Sequence, residues 1–279
     1  MPAQPLLTRA ILSTGEAVPI VGLGTWQAFD IAPGGADWAE GREALAVFAE
    51  AGGKVVDSSP MYGRAEAAIG ALAAELAIRP QLFLATKVWT RGREAGAAQI
   101  AASHEKLQAP VIDLMQVHNL LDLDVHMATL QAAKAAGSIR YIGVTHYTEG
   151  AYEALETAMR RFPLDFIQIN ASVAERESEA RILPTALERG MAVLINRPFA
   201  GGDLFARVRR RPLPDWAAEI GATSWAQVML KYVLANPAVT CAIPGTRNPR
   251  YVLDNLAAAT GPLPDPALRR RIIETVESA

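Results

Sequence analysis

The chain has 279 residues, of which 51% are hydrophobic and 20% charged, and its formal net charge is −2. This balance predicts a globular protein with a generous core and argues against nucleic acid or an anionic membrane as the main partner. One cysteine, Cys241, excludes an intrachain disulfide, and no stretch reaches the ~20 apolar residues of a membrane span, so we expect a cytoplasmic protein.

Short apolar runs alternate with alanine-rich amphipathic runs. After a short hairpin expected over 6–18, eight runs are typical of strands, at 20–25, 54–59, 82–88, 113–119, 141–146, 166–170, 192–197 and 240–245. Helical runs follow at roughly 37–51, 64–77, 94–108, 125–136, 149–161, 178–189, 223–235 and 249–258, with an extra C-terminal helix at 265–277. Residues 200–215 are irregular, which favours a cofactor or substrate loop or a mobile insertion.

The order of these elements predicts the fold class. Eight β/α units in one chain favour an α/β fold of the (β/α)8 TIM-barrel type over a doubly wound sheet. The strands are apolar on both faces, as buried parallel strands are. No linker rich in proline, glycine or serine divides the sequence, so we expect a single domain over residues 1–279.

Ionisable side chains end three successive predicted strands. Asp57 ends the second strand, Lys87 the third and His118 the fourth, and Tyr62 follows Asp57 closely. Each alone has an ordinary explanation as a cap, a packing residue or an inert hydrogen-bonded group. A TIM barrel, however, places its active site at these strand ends, and a lysine in an apolar strand is costly unless an acid such as Asp57 pairs with it. The four residues are therefore the predicted catalytic group.

The residue types predict acid catalysis on a carbonyl. A phenol with a pKa of ~10 is a poor proton donor at neutral pH, and a nearby ammonium lowers that pKa. We therefore expect Lys87 to lower the pKa of Tyr62, and Asp57 to hold Lys87 charged and in place. His118 would orient the substrate oxygen while Tyr62 donates its proton, a step typically worth about 10²–10⁴-fold in rate.

None of these side chains supplies a hydride, so a cofactor is required. The segment GLGTWQ at 22–27 lacks the third glycine of a Rossmann loop. A barrel binds phosphate instead after its seventh and eighth strands, here at 196–205 and 243–249. In the second loop Gly245 and Thr246 allow close backbone approach and Arg247 offers a planar fork to a phosphate, although an ordinary capped helix start also explains this loop.

The chain resembles the aldo-keto reductases over roughly residues 8–258. The matching segments, in family order, are GLGTW (22–26), VVDSSPMYG (55–63), TKVW (86–89), LMQVHN (114–119), IRYIGVTHY (139–147), FIQIN (166–170) and IPGTRNPRYVLDN (243–255). The resemblance implies an NADPH-dependent enzyme, with NADH possible, that reduces aldehyde or ketone carbonyls to alcohols. It implies Asp57, Tyr62, Lys87 and His118 as the catalytic residues and a small-molecule carbonyl compound as the substrate.

The resemblance also implies where the cofactor binds. Gln168 would bond the nicotinamide carboxamide, and Trp26 and Trp89 would wall the substrate pocket. The implied cofactor contacts are Gly24, Thr25, Trp26, Thr145, His146, Gln168, Asn196, Arg197, Pro198, Phe199, Leu204, Ile243, Pro244, Gly245, Thr246, Arg247, Tyr251 and Asn255.

Several positions depart from the family pattern. His146 stands in a Thr-His pair where many relatives have Ser-Asn, and Asn196 replaces an aromatic residue that stacks on the nicotinamide. Gly245 replaces a lysine and Tyr251 an arginine near the 2′-phosphate, a loss for which Arg247 can compensate. These departures weaken the expectation for NADPH over NADH.

Other functions fit the same residues. A nicotinamide-binding regulatory or sensor barrel with little turnover would keep the catalytic group. A Schiff-base aldolase using Lys87 or a metal-dependent hydrolase is a third possibility. Metal-ligand spacing is lacking, however, among the candidate ligands Asp57, His104, His118, His126 and His146, and no metal is expected. The short loop 119–125 and the early end of the chain predict an open, shallow pocket with broad substrate tolerance, in a monomer or weak homo-oligomer.

Overall fold

The computed structural model describes residues 5–278 and opens with the expected hairpin. Strand β1 (Thr8–Ala10) pairs antiparallel with β2 (Ala17–Pro19). Ile11 and Val18 join the apolar cluster inside the barrel, and the Glu16 carboxylate accepts a hydrogen bond from the Tyr141 hydroxyl at 2.6 Å. The hairpin therefore closes the end of the barrel opposite to the predicted active site.

Eight parallel strands follow in sequence order and form one sheet. They are β3 (Leu23–Gly24), β4 (Val55–Asp57), β5 (Phe83–Val88), β6 (Ile112–His118), β7 (Ile139–Thr145), β8 (Phe166–Asn170), β9 (Ala192–Asn196) and β10 (Cys241–Ala242). Parallel bridges between Val21 and Ala242 and between Gly24 and Gly245 join the first strand to the last. The predicted (β/α)8 barrel is confirmed.

Glycine is required where the barrel closes. A Cβ atom on Gly22 would lie 2.7 Å from the Val55 carbonyl oxygen, and one on Gly24 would lie 2.7 Å from that of Ile243. Neither approach is possible for another residue without moving backbone. The GLG segment is therefore a packing feature of the barrel, which explains two glycines without a Rossmann loop.

Helices surround the sheet close to the predicted positions. They are α1 (Ala36–Glu50), α2 (Ala65–Glu75), α3 (Arg93–Lys106), α4 (Leu123–Ala135), α5 (Tyr152–Arg161), α6 (Glu177–Glu188), α7 (Asp203–Val208), α8 (Trp225–Leu234), α9 (Pro249–Ala257) and α10 (Pro266–Glu277). Asn248 caps α9 through a hydrogen bond from Arg250 N, with Pro249 at the first helical position. No helix in the described part is long and apolar enough to cross a bilayer.

The segment 200–215 is more ordered than the sequence predicts. It holds a 3-10 turn at Ala200–Gly202 and then α7. Gly201 and Gly202 have φ angles of 70° and 105°, which let the chain turn sharply after β9. Leu204 and Val208, one helical turn apart, are buried and anchor the short helix to the core. The helix was not predicted, because the segment around these two apolar residues has an irregular composition.

Candidate active site

A buried ion pair lies at the C-terminal ends of β4 and β5. The ammonium Nζ of Lys87 lies 2.7 Å from Asp57 Oδ2 and also donates to the Ser58 carbonyl oxygen at 2.6 Å. The Lys87 side chain is fully buried. Burial opposes its charged form, but Asp57 and Tyr62 outweigh that cost and raise the pKa of Lys87. The lysine is therefore a fixed positive charge.

Two amides hold the other oxygen of the carboxylate. Asp57 Oδ1 accepts from Gln168 Nε2 at 2.8 Å and, more weakly, from Gln116 Nε2 at 3.4 Å. Gln168 Oε1 in turn accepts from the Thr145 hydroxyl at 2.8 Å. Gln116 was not expected here from the sequence. Its position two residues before His118 was the available clue, because alternate residues of a strand share one face.

Tyr62 lies beside the lysine. The turn after β4 places it, with Tyr62 N donating to the Ser59 carbonyl oxygen at 3.0 Å. Lys87 Nζ lies 5.0 Å from the centroid of the phenol ring. Burial raises the pKa of Tyr62, and this effect exceeds the opposing charge and hydrogen bonding of Lys87. Lys87 lowers the pKa of Tyr62 as expected, but burial, which the sequence did not indicate, outweighs this effect, so the net shift in the protein alone is upward.

His118 forms the next part of the site wall. Its ring lies 6.1 Å from that of Tyr62, edge to face, and 6.4 Å from that of Trp89, measured between centroids. Burial, the charge of Lys87 and that of His146 lower the pKa of His118 from 6.5 to about 3. The imidazole is therefore neutral at physiological pH and carries a proton on only one nitrogen.

This shift predicts acid sensitivity. The unfolded chain protonates His118 near pH 6.5 and the folded chain only near pH 3, so between these values the unfolded state binds more protons. The free energy of unfolding should therefore fall on acidification from pH 7 to pH 5, and His118→Gln should make that fall smaller by about 2 kcal/mol. Urea titrations of both proteins at the two pH values measure the difference. Equal falls in the two proteins would contradict it.

The four predicted catalytic residues surround one end of a cavity of about 530 Å³. Tyr62, Asp57 and His118 line it directly, and Lys87 lies behind them. The lining residues are Gly24, Thr25, Trp26, Gln27, Asp57, Met61, Tyr62, His118, Asn119, Thr145, Tyr147, Gln168, Asn196, Arg197, Pro198, Phe199, Gly201, Gly202, Phe205, Ile243 and Gly245. Most of the implied cofactor contacts on β3, β7, β8 and β9 are thus brought together at one opening.

Other implied cofactor residues do not line this cavity. His146 Nδ1 accepts from the backbone N–H groups of Tyr147 and Thr148 at 3.0 and 3.3 Å, so that nitrogen is not directed to a carboxamide. Leu204 packs in the core rather than at the surface of the cavity. The remaining implied cofactor residues outside the lining are Pro244, Thr246, Arg247, Tyr251 and Asn255. Trp89, expected to wall the substrate pocket with Trp26, packs near His118 but does not line the cavity either.

Arg247 is held away from the cavity by α1. Its guanidinium contacts Glu40 at 2.7 Å and Asp37 at 2.5 Å. The arginine predicted to grip a phosphate is therefore already neutralised by two carboxylates. This contact could not be predicted from the sequence, because 207 residues separate Arg247 from Glu40 and 210 separate it from Asp37.

Several cavity residues were missed in the sequence. Met61, Tyr147 and Phe205 are exposed apolar side chains at the opening, and Gln27 and Asn119 have positive φ angles. Nothing in their local pattern distinguishes them from ordinary loop residues.

Among residues 5–278, no three His, Cys, Asp or Glu side chains gather as a metal site would require.

Known proteins share this architecture and sequence. Residues 20–270 match the family model described as the aldo/keto reductase family. Aldo-keto reductase YhdN of Bacillus subtilis (strain 168) is 31% identical over 201 residues, which cover 67% of this chain and 60% of that protein. An aldo-keto reductase of Mycobacterium sp. (strain KMS) is 27% identical over 251 residues, covering 88% and 84% of the two chains.

A solved structure agrees over nearly the whole chain. An aldo-keto reductase from Klebsiella pneumoniae, in complex with NADPH, superimposes with a TM-score of 0.80 at 24% identity and covers 98% of this chain and 96% of that one. At 24% identity this likeness supports the fold alone. Membership of the family rests on the family model, which spans residues 20–270. The chain belongs to the aldo/keto reductase family.

Proposed function

We propose that this protein uses NADPH to reduce aldehyde or ketone carbonyls to alcohols, with Tyr62 as the proton donor. One observation carries the proposal: the phenol of Tyr62 and the neutral imidazole of His118 line one wall of the cavity, and the buried ammonium of Lys87 lies directly behind the phenol. This set offers a proton and a second hydrogen-bond donor to a single substrate oxygen.

The cavity wall at the end of β9, the seventh strand of the barrel, suits a dinucleotide. Asn196 Oδ1 and Arg197 Nε are buried without a hydrogen-bond partner in the described part of the chain, and both residues line the cavity. Such groups are costly unless a ligand satisfies them. We assign Arg197, whose guanidinium donates hydrogen bonds, to the phosphate half of NADPH. We assign Asn196, whose free amide oxygen can only accept, to the nicotinamide half together with Thr145 and Gln168. When bound, NADPH supplies the hydride of the reduction.

The protein residues divide the remaining work. Burial keeps Tyr62 protonated at neutral pH, so the acid is present in its active form. Lys87 stabilises the phenolate that remains once the proton has left, and Asp57 keeps Lys87 charged. The neutral His118 donates a hydrogen bond to the same substrate oxygen and fixes its direction.

The rim of the cavity suits apolar substrates of varied size. Trp26 and Tyr147 are 53% and 47% exposed, and Met61 and Phe205 lie at the same opening. A cluster of exposed large apolar side chains is typical of a binding surface. We propose that this rim accepts carbonyl compounds with bulky apolar substituents and tolerates many of them.

Consumption of NADPH with a panel of carbonyl compounds tests this function. The panel runs from glyceraldehyde to aromatic aldehydes and ketones, and we expect turnover of several bulky members at comparable kcat/KM. Binding of NADPH without turnover of any reactive aldehyde would favour the sensor function instead. A single small substrate strongly preferred over its analogues would contradict broad tolerance. Trapping of substrate by borohydride on Lys87 would indicate an aldolase.

Removal of the two acidic side chains beside Arg247 should shift cofactor preference toward NADPH. Asp37 and Glu40 repel a 2′-phosphate and occupy the guanidinium that would bind it. Exposed ion pairs are each worth little, so Asp37→Asn with Glu40→Gln should tighten NADPH binding by only about fivefold. Binding of NADH, which lacks the 2′-phosphate, should stay unchanged.

Quenching of tryptophan fluorescence during titration with each cofactor measures both affinities. Glu43→Gln, on the same helix and free of ion pairs in the described structure, is the matched control. Arg247→Ala should weaken NADPH alone. Equal effects of the double substitution on NADPH and NADH would show that Arg247 does not meet the 2′-phosphate.

A further inference from the structure

A buried serine contacts the catalytic histidine from behind. Ser59 is fully buried in the turn after β4, and its Oγ lies 3.1 Å from His118 Nδ1. The same residue accepts the backbone hydrogen bond of Tyr62 through its carbonyl oxygen. Ser59 therefore bonds the imidazole of His118 and the backbone of Tyr62, the two residues whose side chains would face the substrate oxygen.

The contacts of the Ser59 hydroxyl decide which atom donates. The hydroxyl oxygen accepts from Met61 N at 3.4 Å, and within residues 5–278 its only possible acceptor is His118 Nδ1. If Nδ1 carried the imidazole proton instead, the serine proton would be buried without an acceptor, which is costly. The arrangement with the serine as donor satisfies both groups.

We propose that Ser59 is a positioning residue that donates its hydroxyl proton to His118 Nδ1 and thereby fixes the imidazole proton on Nε2. His118 lines the cavity, and its Nε2 makes no hydrogen bond to any described residue. This tautomer presents a donor to a carbonyl oxygen, whereas the other would present a lone pair and repel it. The tautomer follows from the geometry alone, and only its effect on turnover rests on the proposed reductase function.

The tautomer can be read directly. Long-range ¹H–¹⁵N correlation spectra of the full chain, labelled with ¹⁵N-histidine, distinguish a protonated ring nitrogen from a bare one. The chain has only four histidines, so His118→Gln identifies the His118 signals. We expect Nε2 of the wild-type protein to be protonated and Nδ1 to be bare. Protonated Nδ1 in the wild type would overturn the proposal without any variant.

Ser59→Ala should shift the tautomer ratio of His118 by about tenfold toward the Nδ1-protonated form. Ser58→Ala is the matched control, because the neighbouring hydroxyl accepts from Thr25 Oγ1 at 3.0 Å and does not touch His118. That control should leave the tautomer unchanged. An unchanged ratio in Ser59→Ala would overturn the proposal.

Steady-state kinetics test the role of Ser59 independently of the spectra. Ser59→Ala should lower kcat about tenfold with KM nearly constant, and Ser59→Thr, which keeps the hydroxyl, should restore most of the rate. A change in KM alone, with kcat kept, would contradict the positioning role. If the wild type turns over no carbonyl compound, the proposed function fails while the spectra still decide the role of Ser59.

Discussion

Tyr62→Phe is expected to lower kcat/KM for carbonyl reduction by about 10²–10⁴-fold, because it removes the only proton donor that we assign to the reacting oxygen. Cofactor affinity should change little, since the substitution deletes one oxygen atom and keeps the ring against Lys87 and His118. Rates of NADPH consumption and quenching of tryptophan fluorescence measure the two quantities on the same preparation.

A second tyrosine supplies the control. Tyr232 on α8 is buried and donates to Glu179 Oε1 at 3.1 Å, outside the cavity lining. Tyr232→Phe removes a hydroxyl of the same kind and should change stability but not turnover. Retention of full activity in Tyr62→Phe, with the protein folded, would end the assignment of the proton donor.

The raised pKa of Tyr62 is compatible with this role. An acid must be protonated before the reaction and must release its proton during it. Burial meets the first need, and the charge of Lys87, which opposes the effect of burial, meets the second. The sequence indicated the charge of Lys87 but not the depth at which Tyr62 would lie, so the direction of the net shift could not be obtained from the sequence.

Strand order explains what the sequence could predict. Parallel strands of one barrel end at the same rim, so Asp57, Lys87 and His118 at the ends of successive strands had to meet. The register places His118 beside Thr145 and Thr145 beside Gln168. Such proximity follows from topology. The alternation of apolar strand runs with amphipathic helical runs was sufficient to predict that topology.

Contacts between distant loops and helices could not be predicted from the order of the strands. The ion pairs of Arg247 depend on where α1 lies against the start of α9, and the bond between Ser59 and His118 depends on the exact path of a turn. Neither has a periodic signature. The contacts behind our proposals on cofactor preference and on the His118 tautomer are therefore visible only in three dimensions.

Lys87→Met is expected to lower the free energy of unfolding by about 3–5 kcal/mol, because it leaves the Asp57 carboxylate buried beside an apolar side chain. Gln168 and Gln116 still donate to that carboxylate, which places the expected loss toward the lower end of the range. Reduction of carbonyl compounds should also be lost, since no charge remains to stabilise the Tyr62 phenolate. Urea titration near neutral pH measures the loss of stability.

The double variant Asp57→Asn with Lys87→Met separates charge from packing. Removing both charges should recover much of the stability lost in the single variant, because a neutral amide costs less to bury than an unpaired carboxylate. Activity should not return. Arg160→Met, which breaks the exposed pair with Glu156, is the matched control and should cost less than about 1 kcal/mol. A double variant no more stable than Lys87→Met would mean that the buried pair contributes through shape, and that Lys87 is not held in place by the charge of Asp57.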